Sequence, residues 1–183
     1  MQIINMSKTK LNSLEPLILP KNVTSTECEL FKYPYYGKEK LLKKLHRTDG
    51  IIFANKLYTI EALNANKDSM PSNFVLPESL VSINKKIEAF TMKYIKGINL
   101  SVILNNPDIT YEEKIHYLKS IGRILEQMQN IRKYTNLNNF YLGDNNFLVE
   151  RDKQEIYIVD LDSCKIAGNK SFPGRYLTNS SLI

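Results

Sequence analysis

The segment NNFYLGDNNFLVERDKQEIYIVDLDSCKI, residues 138–166, carries the clearest structural pattern in this chain. Asp144 lies in a turn rich in Gly and Asn, and Asn146 leads from that turn into a short apolar strand. A charged hairpin follows, and a second apolar strand ends on Asp160. A carboxylate at the end of an apolar strand is costly to bury without a cation or hydrogen-bond donors. Asp160 is therefore a candidate functional residue, with Asp162 as a helper or an alternative ligand.

The order of these polar side chains indicates phosphate-transfer chemistry. Such a site places one carboxylate near the nucleophile, and an Asn and an Asp on magnesium. Magnesium prefers hard oxygen donors and binds few protein carboxylates. Asp144, Asn146 and Asp160 follow this order along the chain. The plainer interpretation of Asp144 is a turn former, because Asp, Asn and Gly favour turn geometry.

Composition and charge limit the function classes. With 183 residues, 43% of them hydrophobic, the chain fits one domain or two small lobes that share a cleft. The formal net charge is +6, but basic residues alternate with acidic ones along the chain. A nucleotide or an acidic protein surface suits this charge as well as nucleic acid does. A basic nucleic-acid-binding protein is therefore only the third function considered.

The cysteines and the apolar runs predict a cellular setting. Cys28 and Cys164 are far apart in the sequence and form no metal-ligand spacing. A reduced, cytoplasmic environment is the simplest interpretation. No apolar run reaches the roughly 18 residues that a membrane span needs. The N-terminus also lacks the basic-then-apolar order of a signal peptide.

The first half of the chain is predicted to be rich in strands. We expect residues 1–26 to form an irregular arm or an edge strand, because apolar periodicity is weak and prolines interrupt it. Paired strands are predicted over residues 27–47, with residues 41–45 forming a buried strand that carries lysine in its middle. An amphipathic helix is predicted at residues 53–66. Two further strands are predicted at residues 75–81 and 89–95.

The second half is predicted to begin with helix. The sequence KGINL at residues 96–100 marks a break between the halves. Thr110 and Glu113 form the Ser/Thr-x-x-Glu pattern of a capping box, which predicts a helix start there. An apolar stripe continues that helix to Ile131. A small hairpin is then predicted from strands at residues 147–150 and 156–160.

This order of elements resembles the protein-kinase-like superfamily over about residues 27–170. The resemblance implies an α+β, two-lobed fold with an N-terminal β-sheet lobe and a reduced helical C-terminal lobe. On that basis we expect an irregular N-terminal arm at residues 1–26 and an N-terminal lobe at 27–96. Residues 97–183 would form a minimal C-terminal lobe that includes the catalytic-loop-like and metal-binding segments.

The resemblance also implies an ATP site between the lobes. Lys44 matches the strand lysine that pairs with nucleotide phosphates, and Lys43 is the alternative because strand alternation alone does not choose between neighbours. Glu61, in the predicted helix, matches the carboxylate that holds the lysine amine in place. Backbone groups of the hinge-like segment would contact the adenine edge around Lys93, Tyr94 and Ile95.

The same resemblance implies roles for the polar residues of the 138–166 segment. Asp144 matches the catalytic-loop aspartate that orients or deprotonates a substrate hydroxyl. Asn146 and Asp160 match the two magnesium ligands, so ATP and magnesium are the implied cofactors. The sequence Val-Asp-Leu around Asp160 stands where the family has Asp-Phe-Gly.

Two function classes follow from this resemblance. The first is an ATP-dependent phosphotransferase that uses these residues. The second is a pseudokinase, in which the same scaffold binds a protein partner, with or without nucleotide, and does not turn over. Only one residue separates Asp144 from Asn146, and counting back from Asn146 puts Tyr141 where the base should be. This short loop, the lack of a Gly-rich loop before Lys44 and the short helical lobe all favour the pseudokinase.

Overall fold

The computed structural model describes residues 1–19, 27–134, 137–138 and 144–166. Its N-terminal part contains six strands: β1 (Gln2–Met6), β2 (Glu15–Pro16), β3 (Cys28–Tyr35), β4 (Lys38–Leu45), β5 (Pro77–Ile83) and β6 (Lys86–Lys93). They form one sheet in the spatial order β1-β5-β6-β4-β3-β2. Neighbouring strands are antiparallel, except that β1 runs parallel to β5.

The predicted pair of strands over residues 27–47 is the β3–β4 hairpin. Its turn lies at Tyr36 and Gly37, whose φ angles are 47° and 73°. Glycine adopts such positive φ angles without steric cost, which suits Gly37 to the second turn position. Along β4, successive side chains point to opposite faces of the sheet. Residues 41, 43 and 45 therefore share one face, and residues 42 and 44 share the other.

Each face of the sheet is covered by a different set of elements. On one face, Ile60 of helix α2 (Gly50–Ala65) packs in a cluster with Leu45 and Phe90. On the other face, residues of β1 and of the short helix α1 (Lys8–Asn12) pack in a cluster with Leu42 and Val81. Of the two predictions for the N-terminal residues, the edge strand is the one that the structure shows, as β1. The irregular arm is wrong for these described residues, which also supply a second hydrophobic layer.

The described residues of the C-terminal part form helices α3 (Leu100–Asn105) and α4 (Tyr111–Tyr134) and five short strands: β7 (Ile98–Asn99), β8 (Leu137–Asn138), β9 (Phe147–Glu150), β10 (Glu155–Ile158) and β11 (Lys165–Ile166). Strands β10, β9 and β7 form an antiparallel sheet, and β11 pairs with β8. The predicted cap of α4 is present, because the Glu113 N–H donates to Thr110 Oγ1 at 3.2 Å. A third apolar cluster joins Tyr117 and Ile124 of α4 to Val149 and Ile158 of the β9–β10 hairpin.

Two close backbone contacts connect the hairpin to the preceding strands. The Val75 N–H donates to the Ile158 carbonyl at 2.9 Å, and the Ile158 N–H donates to the Asn73 carbonyl at the same distance. At Gly97, a β-carbon would lie 3.1 Å from both Leu148 Cβ and the Val149 carbonyl oxygen. Only glycine fits this approach without displacement of the β9 backbone. The end of β10 is thus held beside the large sheet.

None of the described helices combines the length and the apolar character needed to cross a bilayer.

Candidate functional site

Five charged side chains of alternating sign form a connected cluster beneath the sheet. Lys43 Nζ contacts Asp160 Oδ1 and lies 2.9 Å from Asp162 Oδ1. Lys56 Nζ lies 2.9 Å from Asp162 Oδ2 and 2.8 Å from Glu27 Oε2. The order is Asp160–Lys43–Asp162–Lys56–Glu27. The middle three side chains are buried, whereas the two terminal carboxylates are partly exposed.

Four separate parts of the fold position these groups. Lys43 lies on the α2-facing side of β4, with Nζ 5.7 Å from the centre of the Phe90 ring. Lys56 projects from the buried face of α2. Asp162 lies in a single 3-10 turn, Leu161–Ser163, that follows β10. Glu27 immediately precedes β3. The cluster therefore links the sheet, helix α2 and the end of the hairpin through side chains.

The two cations determine the charge state of Asp162. Burial alone would raise the pKa of the Asp162 carboxyl, but Lys43 and Lys56 hold it well below its usual range. Burial alone would likewise lower the pKa of Lys43, and the Asp162 and Asp160 charges instead raise it above its usual value. Asp162 is thus an ionised carboxylate with no exposed side-chain surface. Such a group persists in a protein interior only when it is paired with cations.

Asp160 differs from Asp162 in both exposure and backbone geometry. Its side chain is 45% exposed, and its backbone has φ 64° and ψ 30°, in the left-handed region. Non-glycine residues in that region are uncommon and concentrate at functional sites. Partial desolvation and the charge of Asp162 raise the pKa of Asp160, against the lowering effect of Lys43. Of the two carboxylates that contact Lys43, Asp160 is therefore the one open to a ligand.

Asn146 lies beside Asp160 and is held by Val159. The Val159 N–H donates to the Asn146 carbonyl at 2.9 Å, and Asn146 Nδ2 donates to the Val159 carbonyl at 3.3 Å. An amide oxygen and a carboxylate are hard donors that suit magnesium, which usually retains several waters. The donor chemistry of Asn146 and Asp160 therefore fits the implied metal. Among residues with described side chains, no group of three or more His, Cys, Asp or Glu is arranged to hold a metal.

The hinge-like segment follows directly from β6. Lys93 and Lys40 form the last residue pair of the β4–β6 ladder, so Tyr94 and Ile95 lie beyond it. Lys93 Nζ lies 4.4 Å from the centre of the Tyr157 ring. The side chain of Ile95 is buried in the same apolar cluster as Tyr157. The structure thus places this segment next to β10, which is the strand that leads to Asp160.

The predicted ion pair between Lys44 and Glu61 is wrong. Lys44 Nζ contacts Glu29 Oε2 at 2.5 Å on the face of β4 that points away from α2, and Glu61 is exposed. Lys43, the alternative, is the lysine beside Asp160. The reason is strand alternation. Leu41 and Leu45 face α2, and residue 43 lies on the same face because alternate residues of a strand point to the same side. The Asp144 backbone begins a 3-10 turn, Asp144–Asn146, and its side chain lies outside the described part of the structure.

Lys56 is the site residue that the sequence interpretation missed. It lies three residues after Phe53 and four before Ile60, and both of these residues belong to the apolar stripe of the predicted helix. Residues at these spacings share one helix face. A lysine within a core-facing stripe is a signal that it pairs with a buried carboxylate. Asp162 was considered as a helper or an alternative ligand, and it lies at the centre of the cluster.

Comparison with known proteins gives a structural match and no sequence match. No protein family and no curated protein matches the sequence. The structure is similar to that of the apo GRMZM2G135359 pseudokinase, with a TM-score of 0.60 and 13% sequence identity. The match covers 87% of this chain and 62% of that chain, so the chain spans less than two thirds of that protein's length. At this identity the likeness shows the fold alone, a mixed α/β chain with an N-terminal sheet.

Proposed function

We propose that this chain is a kinase-like protein that binds ATP and magnesium beside Lys43. The observation that carries the proposal is the position of Lys43 Nζ between Asp160 and Asp162, on a sheet whose fold is similar to that of a pseudokinase. In this proposal Lys43 contacts phosphate, and Asn146 and Asp160 hold magnesium. The backbone of residues 93–95 contacts the adenine edge.

The side chains around Lys43 have separate roles in this proposal. Asp162 keeps the Lys43 ammonium charged and fixed in direction, so little reorganisation is needed when it meets a phosphate oxygen. Asp160 offers the more exposed carboxylate, next to the amide of Asn146. Bound magnesium would neutralise phosphate charge at these two side chains. We further propose a two-lobed arrangement, with the cluster and the hinge-like segment lining the cleft.

A thermal-shift titration with ATP, with and without magnesium, tests this proposal. A ligand at ~100 times its dissociation constant adds about 2.7 kcal/mol to the free energy of unfolding, which is readily detected. Lys43→Met should abolish the shift, and the neighbouring Lys44→Met should preserve it. No shift for the wild-type protein at millimolar ATP would refute nucleotide binding.

The second candidate is a pseudokinase that presents this scaffold to a protein partner without phosphate transfer. It is favoured by Lys56, because helix α2 offers a cation where the kinase resemblance expects a carboxylate. The short spacing between Asp144 and Asn146 points the same way. Incubation with γ-labelled ATP separates the two functions. Label transfer to protein or water that is lost in Asp144→Ala supports the phosphotransferase, and nucleotide binding without any transfer supports the pseudokinase.

A further inference from the structure

Lys56 is the cluster residue for which the proposed function has no direct use. Its side chain is 8% exposed and its Nζ bridges Asp162 Oδ2 and Glu27 Oε2. Asp162 Oδ2 also lies 3.1 Å from Lys43 Nζ, so this oxygen contacts both ammonium groups. Asp162 is therefore a shared counter-ion of Lys43 and Lys56.

Sharing a carboxylate changes how tightly it holds each cation. Lys43 contacts two carboxylates, Asp160 and Asp162, and a phosphate ligand must compete with both for the same ammonium. A buried carboxylate with a single cation holds that cation strongly, because there is little water to screen the pair. A second cation on the same carboxylate reduces the net attraction. Lys56 therefore weakens the hold of Asp162 on Lys43.

We propose that Lys56 is a positioning residue of the nucleotide site, which keeps Lys43 available to phosphate by sharing the charge of Asp162. This inference rests on the proposed function and adds a role for helix α2. Because Lys56 is on α2 and Asp162 is on the turn after β10, the availability of Lys43 depends on the position of α2. Displacement of α2 would leave Lys43 as the only one of the two lysines beside Asp162. Asp162 would then hold Lys43 more strongly, and nucleotide binding would weaken.

A purely structural role for Lys56 makes a different prediction. In that case Lys56→Met would lower stability, and nucleotide affinity would be unchanged for the folded fraction. A second substitution at Asp162 would not improve affinity. In the positioning role, removal of the Asp162 charge in Lys56→Met should free Lys43 again, so the two substitutions are not additive.

The experiment measures the dissociation constant of magnesium ATP by calorimetry, and the urea unfolding midpoint without ligand, for each variant. Lys56→Met should weaken binding by about tenfold, as expected for coupled neighbours. Lys56→Arg keeps the charge and should bind within about threefold of wild type. Lys56→Met/Asp162→Asn should bind more tightly than Lys56→Met. Lys67→Met, at an exposed lysine just after α2, is the matched control and should leave both quantities unchanged.

The outcomes separate the inference from the proposed function. Wild-type protein that binds magnesium ATP, with Lys56→Met equal to it in affinity, overturns the inference alone. A Lys56→Met/Asp162→Asn variant that binds magnesium ATP no more tightly than Lys56→Met also overturns the inference alone. Wild-type protein that fails to bind magnesium ATP overturns both. Weak binding by Lys56→Met with recovery in both Lys56→Arg and the double variant establishes the positioning role.

Discussion

Lys43 and Lys44 are neighbours on β4, and their ammonium groups lie on opposite faces of the sheet. Lys43 contacts the buried Asp162 and the more exposed Asp160, and Lys44 contacts Glu29, whose side chain is half exposed. Two lysines of identical chemistry thus form one buried and one solvated ion pair. Substitutions at Lys43 and Lys44 therefore compare the stability contributed by a buried ion pair with that of a solvated one.

We predict that Lys43→Met destabilises the fold far more than Lys44→Met. Loss of Lys43 removes one of the two cations of a buried carboxylate, which should cost about 3 kcal/mol. Loss of Lys44 breaks an exposed pair and should cost less than about 1 kcal/mol. Urea denaturation followed by circular dichroism measures both. Equal unfolding midpoints for the two variants would contradict the burial of Lys43.

We predict that acid destabilises the protein through Asp162. The folded-state pKa of this carboxyl is held below its unfolded value of about 3.9, so its stabilising contribution is complete at neutral pH. That contribution is lost as the pH falls through the lowered pKa. The gap in unfolding free energy between wild type and Asp162→Asn should therefore be large at neutral pH and shrink in strong acid. A gap that is independent of pH would mean that Asp162 is not ionised in the folded protein.

Gly97 and Gly122 should respond oppositely to alanine. A β-carbon at Gly97 would meet Leu148 and the Val149 carbonyl at 3.1 Å, so Gly97→Ala should cost about 1–3 kcal/mol through displacement of β9. At Gly122, on the exposed side of α4, nothing lies within 4 Å of the added carbon. Gly122→Ala should stabilise the helix by up to about 1 kcal/mol. Thermal unfolding of the two variants checks both signs, and a neutral Gly97→Ala would argue against this contact.

Both cysteine thiols should be unreactive in the folded protein. Cys28 and Cys164 are buried, and burial together with the Asp162 charge raises the pKa of Cys164 to about 12. The thiolate is the reactive form, so little of Cys164 is nucleophilic near neutral pH. Ellman's reagent should detect neither thiol within minutes under native conditions and both in guanidinium chloride. Rapid native labelling of Cys164 would show that the turn after β10 opens readily.

The local elements were predictable because their signals lie within a few residues. The capping box at Thr110 located the start of α4, and apolar alternation located the β3–β4 and β9–β10 hairpins. The weak apolar periodicity of the first residues left an irregular arm and an edge strand both open, and the structure has an edge strand, β1, paired with the nearly fully buried β5. That pairing joins distant segments, and local patterns do not report it.

The candidate site was predictable only in part, and its ion pairing was not. Asp160 and Asn146 were predicted as ligands from their positions relative to apolar strands, and that role stays a prediction. The choice between Lys43 and Lys44 needed the orientation of β4 relative to α2, which is a tertiary property. The contact of Lys56 with Asp162 joins residues 106 positions apart. Only the apolar stripe around Lys56 hinted that its side chain faces the core.

The parallel pairing of β1 with β5 has a consequence for handling the protein. The register runs from Gln2 opposite Ser79 to Met6 opposite Ile83, so β1 occupies the backbone groups along one side of β5. Without β1, the nearly fully buried strand β5 would become the outermost one and present an apolar hydrogen-bonding edge. Such edges recruit strands from other molecules and start aggregation. Truncation or a bulky tag at the first residues would therefore turn the sheet into a template for intermolecular assembly.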